Sequence, residues 1–244
     1  MMSEMVPLLL STLPWAFGVA MLYALLYRPN AWHPGHHLIV FGLGAYIGYL
    51  VLALVMHQLQ SRNLQVFSEW LVAWGIALIL MCWALGQLGR YAATAGNIVR
   101  SSSVPEGDQA PSWLIALLTV WVMCAIGFVA WEVAYRPAVS WDTMSYWSRY
   151  TAGFLNWQLS TPEEGSVSLS HRHGPTVHLL NAWSAYSQTF WSTPRLLYTP
   201  WLALYTGLLI AGAGFTWFVT GKLVFGLFTA ALVASSSVIA GQAS

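Results

Sequence analysis

Long apolar runs separated by short polar stretches set the rhythm of this chain. Six of them, at about 6–27, 38–59, 67–88, 113–134, 197–219 and 223–241, approach the roughly 20 residues an α-helix needs to cross a 30 Å hydrocarbon layer. The pattern predicts an all-α fold, a polytopic transmembrane helix bundle of about six spans. The first run ends at Arg28-Pro29, where a charge and a ring-locked φ stop it, and Pro14 inside it predicts a kink. This first run is a span and not a cleavable signal: Glu4 stands where a signal has its basic cluster, the run is too long, and no small-x-small site follows it.

The composition sharpens this picture. Hydrophobic residues make up 57% of the 244 and charged residues only 7%, with a mean hydropathy of +0.59. Soluble domains carry about 25% charged residues, so the chain cannot clothe itself for water. Fifteen tryptophans and eleven tyrosines fit boundaries between membrane and water, where amphipathic rings collect. A net charge of +1 excludes a broad basic surface for nucleic acid. Cys82 and Cys124 both fall inside apolar runs and read as small hydrophobes.

Within the second run, Gly42-Leu-Gly44-Ala-Tyr-Ile-Gly48 has its third glycine one place too late for a dinucleotide fingerprint, and no strand precedes it. Gly44-x-x-x-Gly48 is instead a surface for close helix–helix contact. His57 and Glu69 read as residues of the wet boundary. The segment from Arg90 to Ser112, with its serines, Pro105, Glu106, Gly107, Asp108 and Pro111, has the composition of an exposed linker. It divides the chain into a front part, 1–112, with three spans, and a second part, 113–244. Arg28, Arg90, Arg100 and Lys222 fall on one side of the predicted spans and Arg62 on the other, which places the N-terminus outside and the long segment 135–196 extracytoplasmic. The last run ends in Ser235–Ser244 with no basic anchor, so the chain is read as the N-terminal part of a longer protein.

Segment 135–196 concentrates the polar chemistry, with four of the nine basic residues, three of the eight acidic ones and three of the seven histidines. Ser140 can cap a helix that begins at Trp141 and holds Asp142 in its first turn. A second helix can start at Pro175, with Val177, Leu180, Trp183 and Phe190 as its buried side. Both are predicted to lie in the membrane surface, rings down and polar groups up, joined by a polar connector, 161–174, that contains His171, Arg172 and His173. Asp142 can accept a hydroxyl proton. Arg149 and Arg172 are the cations at hand for a leaving anion, and His171 and His173 can complete a metal site with Asp142. The plainer readings are a dipole-stabilised Asp142, a lipid-headgroup role for Arg149 and a solvated loop for the histidines. Glu132 either pairs with Arg136 at i, i+4 or is a functional acid at the membrane boundary.

A span that exits outward into Trp141-Asp142-x-x-x-Tyr146-Trp147, followed by His171-Arg-His173-Gly-Pro175 before a second surface helix, resembles the GT-C class of membrane glycosyltransferases. The resemblance covers roughly 113–244 and is to bacterial members similar to dolichyl-phosphate-mannose–protein mannosyltransferases. It implies two juxtamembrane helices in the first external loop, a polyprenyl-phosphate-linked sugar as donor, and Asp142 as the acid that takes the acceptor proton or helps to bind a divalent metal ion. It also implies a place in the bacterial inner membrane. Thr143 stands where many members have the second residue of an Asp-Glu pair, and about three of the seven or more core spans of the class are present. A rival reading is a non-catalytic membrane scaffold or transporter component that uses its surface helices to grip lipid or a partner.

Overall fold

Each helix of the fold grows from one of the apolar runs. The computed structural model describes residues 2–26, 33–61, 75–76, 78–83, 85–87, 110–135, 179–181, 183–184 and 199–236. Helix α1 spans Met2–Leu26, α2 Pro34–Ser61, α3 Ser112–Tyr135, α4 Thr199–Thr220 and α5 Leu223–Ala234. Helical residues also occur within 75–87 and 179–184, and among the described residues there is no strand.

Three stretches, Pro34–Gln58, Ser112–Val133 and Thr199–Thr220, are long and apolar enough to cross a membrane, as an integral membrane protein requires. The other three expected spans correspond to shorter apolar helices among the described residues: Ser11–Leu26, Leu78–Gln87 and Leu223–Ala234. The last ends well before its expected limit at about residue 241. Its 12 residues reach about 18 Å at 1.5 Å each, well short of a 30 Å hydrocarbon layer. At its end Ser235 turns inward, its Oγ donating to Ala231 O at 2.7 Å and its N–H to the same carbonyl at 3.0 Å. Local serine hydrogen bonds of this kind compete with continuation of the helix.

Helix α2 is the centre of the bundle, with α1 against one side and α4 against another; α4 then meets α5, and α5 meets α3. The front and second parts of the chain are therefore joined along the α2–α4 seam. Small residues bring the backbones together. A Cβ on Gly48 would collide with Pro14 O, and one on Gly18 with Gly44 O, so Gly44-x-x-x-Gly48 is a contact surface as expected. A second seam runs along α2 and α4. There a Cβ on Gly35 would lie 2.6 Å from Gly214 O, and one on Gly207 would lie 2.7 Å from Gly42 O. The pairs run in opposite order along the two helices, so α2 and α4 are antiparallel. Helix α1 is continuous through Pro14 with no break; its freed carbonyl positions are tolerated because neighbouring helices cover that stretch.

Turn chemistry fixes two helix ends. At the start of α2, His33 Nδ1 accepts the Gly35 N–H at 3.0 Å, and His36 Nδ1 accepts the His33 N–H at 2.9 Å. This is a capping box written with histidines, with Pro34 at the favoured first helical position. Helix α4 ends at Gly221, whose φ of 72° is left-handed, and two residues suffice to turn into α5.

Candidate functional site

The expected catalytic and supporting residues, Asp142, Arg149, His171, Arg172 and His173, lie outside the described residues, as do the linker 90–109, Glu69 and Arg136. The site is therefore built from its two anchors, the end of α3 and the approach to α4.

Helix α3 carries Val129, Glu132 and Val133 buried near its end. Val129 and Val133 pack with Tyr205 and Leu209 of α4 and with Ala230 and Ala234 of α5. Glu132 is 8% exposed, so this residue near the expected membrane boundary is buried in the bundle. Tyr205 completes the wall by donating its hydroxyl to Ala234 O at 3.5 Å, a long contact at the level where α5 ends. His57, near the other end of α2, is exposed, in keeping with a boundary residue.

On the other flank of α4, the segment 179–184 is helical, as the Pro175 reading anticipates, but it does not lie half in water. Leu179, Leu180, Asn181, Trp183 and Ser184 are all buried, so this turn is enclosed on every side. It packs on Tyr49, Leu52, Ala53 and Met56 of α2 and on Ala203 of α4. The reason is local: Asn181, a polar residue inside the bundle, finds a partner there, its Oδ1 accepting the Trp201 indole N–H at 3.1 Å. Polar groups in the membrane are expensive unless satisfied, and those satisfied here let the turn sink into the bundle.

In the first turns of α4, Leu202 and Tyr205 pack with the α3 residues and Ala203 packs with the residues of 179–184. Thr199 and Pro200, the first residues of α4, are buried. The buried pair Asn181–Trp201 is a contact that sequence reasoning missed. Among the described residues no group of three or more His, Cys, Asp or Glu side chains is arranged to hold a metal ion.

No family model matches the sequence, and no curated protein or solved structure does either. The functional reading rests on the residues alone.

Proposed function

We propose that this protein is an integral membrane glycosyltransferase of the GT-C kind, acting at the extracytoplasmic face of a bacterial inner membrane. It transfers a sugar from a polyprenyl-phosphate carrier to an acceptor hydroxyl. Asp142 accepts the acceptor proton as the new glycosidic oxygen–carbon bond forms. The carbon–oxygen bond to the carrier phosphate breaks, and Arg149 and Arg172 offset the charge that remains on the phosphate. His171 and His173, on the same connector, can complete a metal site with Asp142.

The observation that carries the reading is the double anchorage of the segment that bears these residues. Seven positions before Asp142, α3 ends in a packed wall that holds Glu132, and the chain comes back through the buried turn 179–184 on the opposite flank of α4. Because the described residues on both sides of the segment pack on α4, its two ends are close together, which supports the reading that Asp142 and the connector act at one place by the membrane boundary.

The test is transfer of labelled sugar from a polyprenyl-phosphate donor in proteoliposomes. Asp142→Asn should abolish transfer with membrane insertion and helix content unchanged, and undiminished turnover overturns the proposal. A cysteine placed at Ser166 should react with an impermeant maleimide from the outer side; protection there, with reactivity at Ser102, reverses the orientation. The scaffold reading keeps one observation in its favour, the lipid- or partner-facing surface of α3, where Trp113, Trp121, Phe128 and Trp131 are exposed. Full insertion and binding of a membrane partner by a chain that shows no transfer in the same assay supports it.

A further inference from the structure

Two histidine rings hold the start of α2, and both do so as acceptors. His36 Nδ1 takes the His33 N–H at 2.9 Å, and His33 Nδ1 takes the Gly35 N–H at 3.0 Å. A backbone N–H can only donate, so each Nδ1 is bare and each ring is neutral, with its proton on Nε2. In His33 that second nitrogen is buried and has no hydrogen-bond partner among the described residues. The ring stands beside Trp217 and Phe218 of α4, at 5.4 and 6.0 Å between centroids, and His36 lies against Phe218 at 4.3 Å. Backbone contact ties the same turn to α4, because Gly35 is buried where a Cβ would meet Gly214 O at 2.6 Å and Phe218 N at 3.0 Å.

The third ring of the turn is held differently. His37 Nδ1 is 2.8 Å from the Tyr23 hydroxyl of α1, and a hydroxyl can donate or accept, so that bond survives a proton on His37. From α4 the turn is faced by Trp217 and Phe218, neither of which titrates. Lys222, at the N-cap of α5, is exposed and keeps its charge near neutral pH, as does Arg28, which lies outside the described residues.

We propose that the start of α2 is a pH-sensitive latch, in which a proton on His33 or His36 releases the first turn of α2 from its cap and from α4. Imidazole is the side chain that changes charge between about pH 5 and pH 8. A proton on either Nδ1 turns an acceptor into a donor that faces another donor. It also sets a positive charge on the positive end of a 28-residue helix whose first turn holds no acidic residue to offset it. Both effects have the same sign, so the cap is whole at the alkaline end of the range and is lost as the pH falls. Attraction of a charged ring to the faces of Trp217 and Phe218 acts the other way, but it cannot restore the lost acceptors. Pro34 and His37 are exposed at this end of α2, which gives protons a route to the turn. The latch closes one end of the α2–α4 seam, and its opening loosens the contact of Gly35 with Gly214 first. The proposal depends neither on the transferase reading nor on the orientation in the membrane.

The test is hydrogen exchange of the full chain in nanodiscs, read by mass spectrometry on peptides covering 33–40 and corrected for the intrinsic pH dependence of exchange. Protection there should fall about tenfold from pH 8 to pH 5, the loss of a cap together with an adverse dipole interaction. His33→Asn combined with His36→Gln rebuilds the capping box without a titrating ring, and its protection should stay level over the same range. His37→Gln should leave the fall intact. A level profile in the unaltered chain, or the same fall in the double variant, overturns the proposal. Should the double variant fail to fold, nitrogen-15 spectra of the histidine-labelled chain decide, with signals assigned through the single variants His33→Asn and His36→Gln. At about pH 8 both rings should show a bare Nδ1 that gains a proton in step with the loss of protection; a proton already on either Nδ1 at that pH overturns the proposal.

Discussion

Replacing Gly207 with alanine should force α2 and α4 apart. The added Cβ would stand 2.7 Å from Gly42 O and 3.0 Å from Ala45 Cβ, and both neighbours belong to a packed helix and cannot swing aside. Carbon–oxygen contacts settle at about 3.3–3.6 Å, so the helices must part by roughly 0.6–0.9 Å at this level. A gap of that size forfeits about a quarter to a half of each dispersion contact it opens. It also stretches the bond from Tyr46 OH to Leu204 O, now 3.0 Å, past useful length. Overpacking of this kind costs ~1–3 kcal/mol and an interhelical hydrogen bond adds ~0.6 kcal/mol, while removing a glycine from a helix returns ~0.5–1 kcal/mol. The net loss is about 1–3 kcal/mol. The control is Gly212→Ala, on the same helix five residues on, where a Cβ meets nothing within 4 Å; only the propensity gain remains there, and stability should hold or rise. Equilibrium unfolding in mixed micelles of mild detergent and dodecyl sulfate, followed by circular dichroism, measures both. Equal unfolding midpoints for the two variants would show that the α2–α4 seam is not set by backbone contact at Gly207, and the packing argument fails.

Two smaller perturbations probe the middle and the start of α2. Tyr49→Phe removes the donation from the fully buried Tyr49 hydroxyl to Ser11 O at 2.9 Å; in the same unfolding assay it should cost about 0.6 kcal/mol and no more than roughly 1.7 kcal/mol, and a loss well beyond that would mean the ring packing, not the bond, was disturbed. His33→Ala removes the cap on Gly35 N–H and should cost about 1 kcal/mol, whereas His33→Asn, a strong capping residue, should restore most of it; a failure of asparagine to rescue would assign the role of His33 to its edge contact with Trp217, ring centroids 5.4 Å apart.

Three of the six expected spans are borne out as helices long and apolar enough to cross a membrane, while their mutual arrangement was only partly legible in the sequence, and the difference has a physical cause. Length and apolarity identify a membrane helix because hydrocarbon demands both. In water, the side of a helix that packs is the apolar side, so polarity along the chain points to it. In lipid both sides are apolar, the hydrophobic drive between helices is gone, and close approach of backbones decides instead. The Gly44-x-x-x-Gly48 spacing carried that information to α1. The other seam was written in the same alphabet at a longer interval, Gly35 and Gly42 against Gly207 and Gly214, and a motif confined to one run could not connect partners about 170 residues apart. The histidine cap escaped for a similar reason: His33-Pro-Gly-His36 reads as a boundary cluster until the ring nitrogens are seen to take backbone N–H groups. The turn at 179–184 shows where the pattern misleads outright. A helix starting at Pro175 was expected to lie in the membrane surface with its polar groups up, yet Asn181 is buried and bonded to Trp201, and a polar group so partnered can be buried with its neighbours. Polarity in such a chain therefore marks a group that must find a partner, and only the fold decides whether that partner is water.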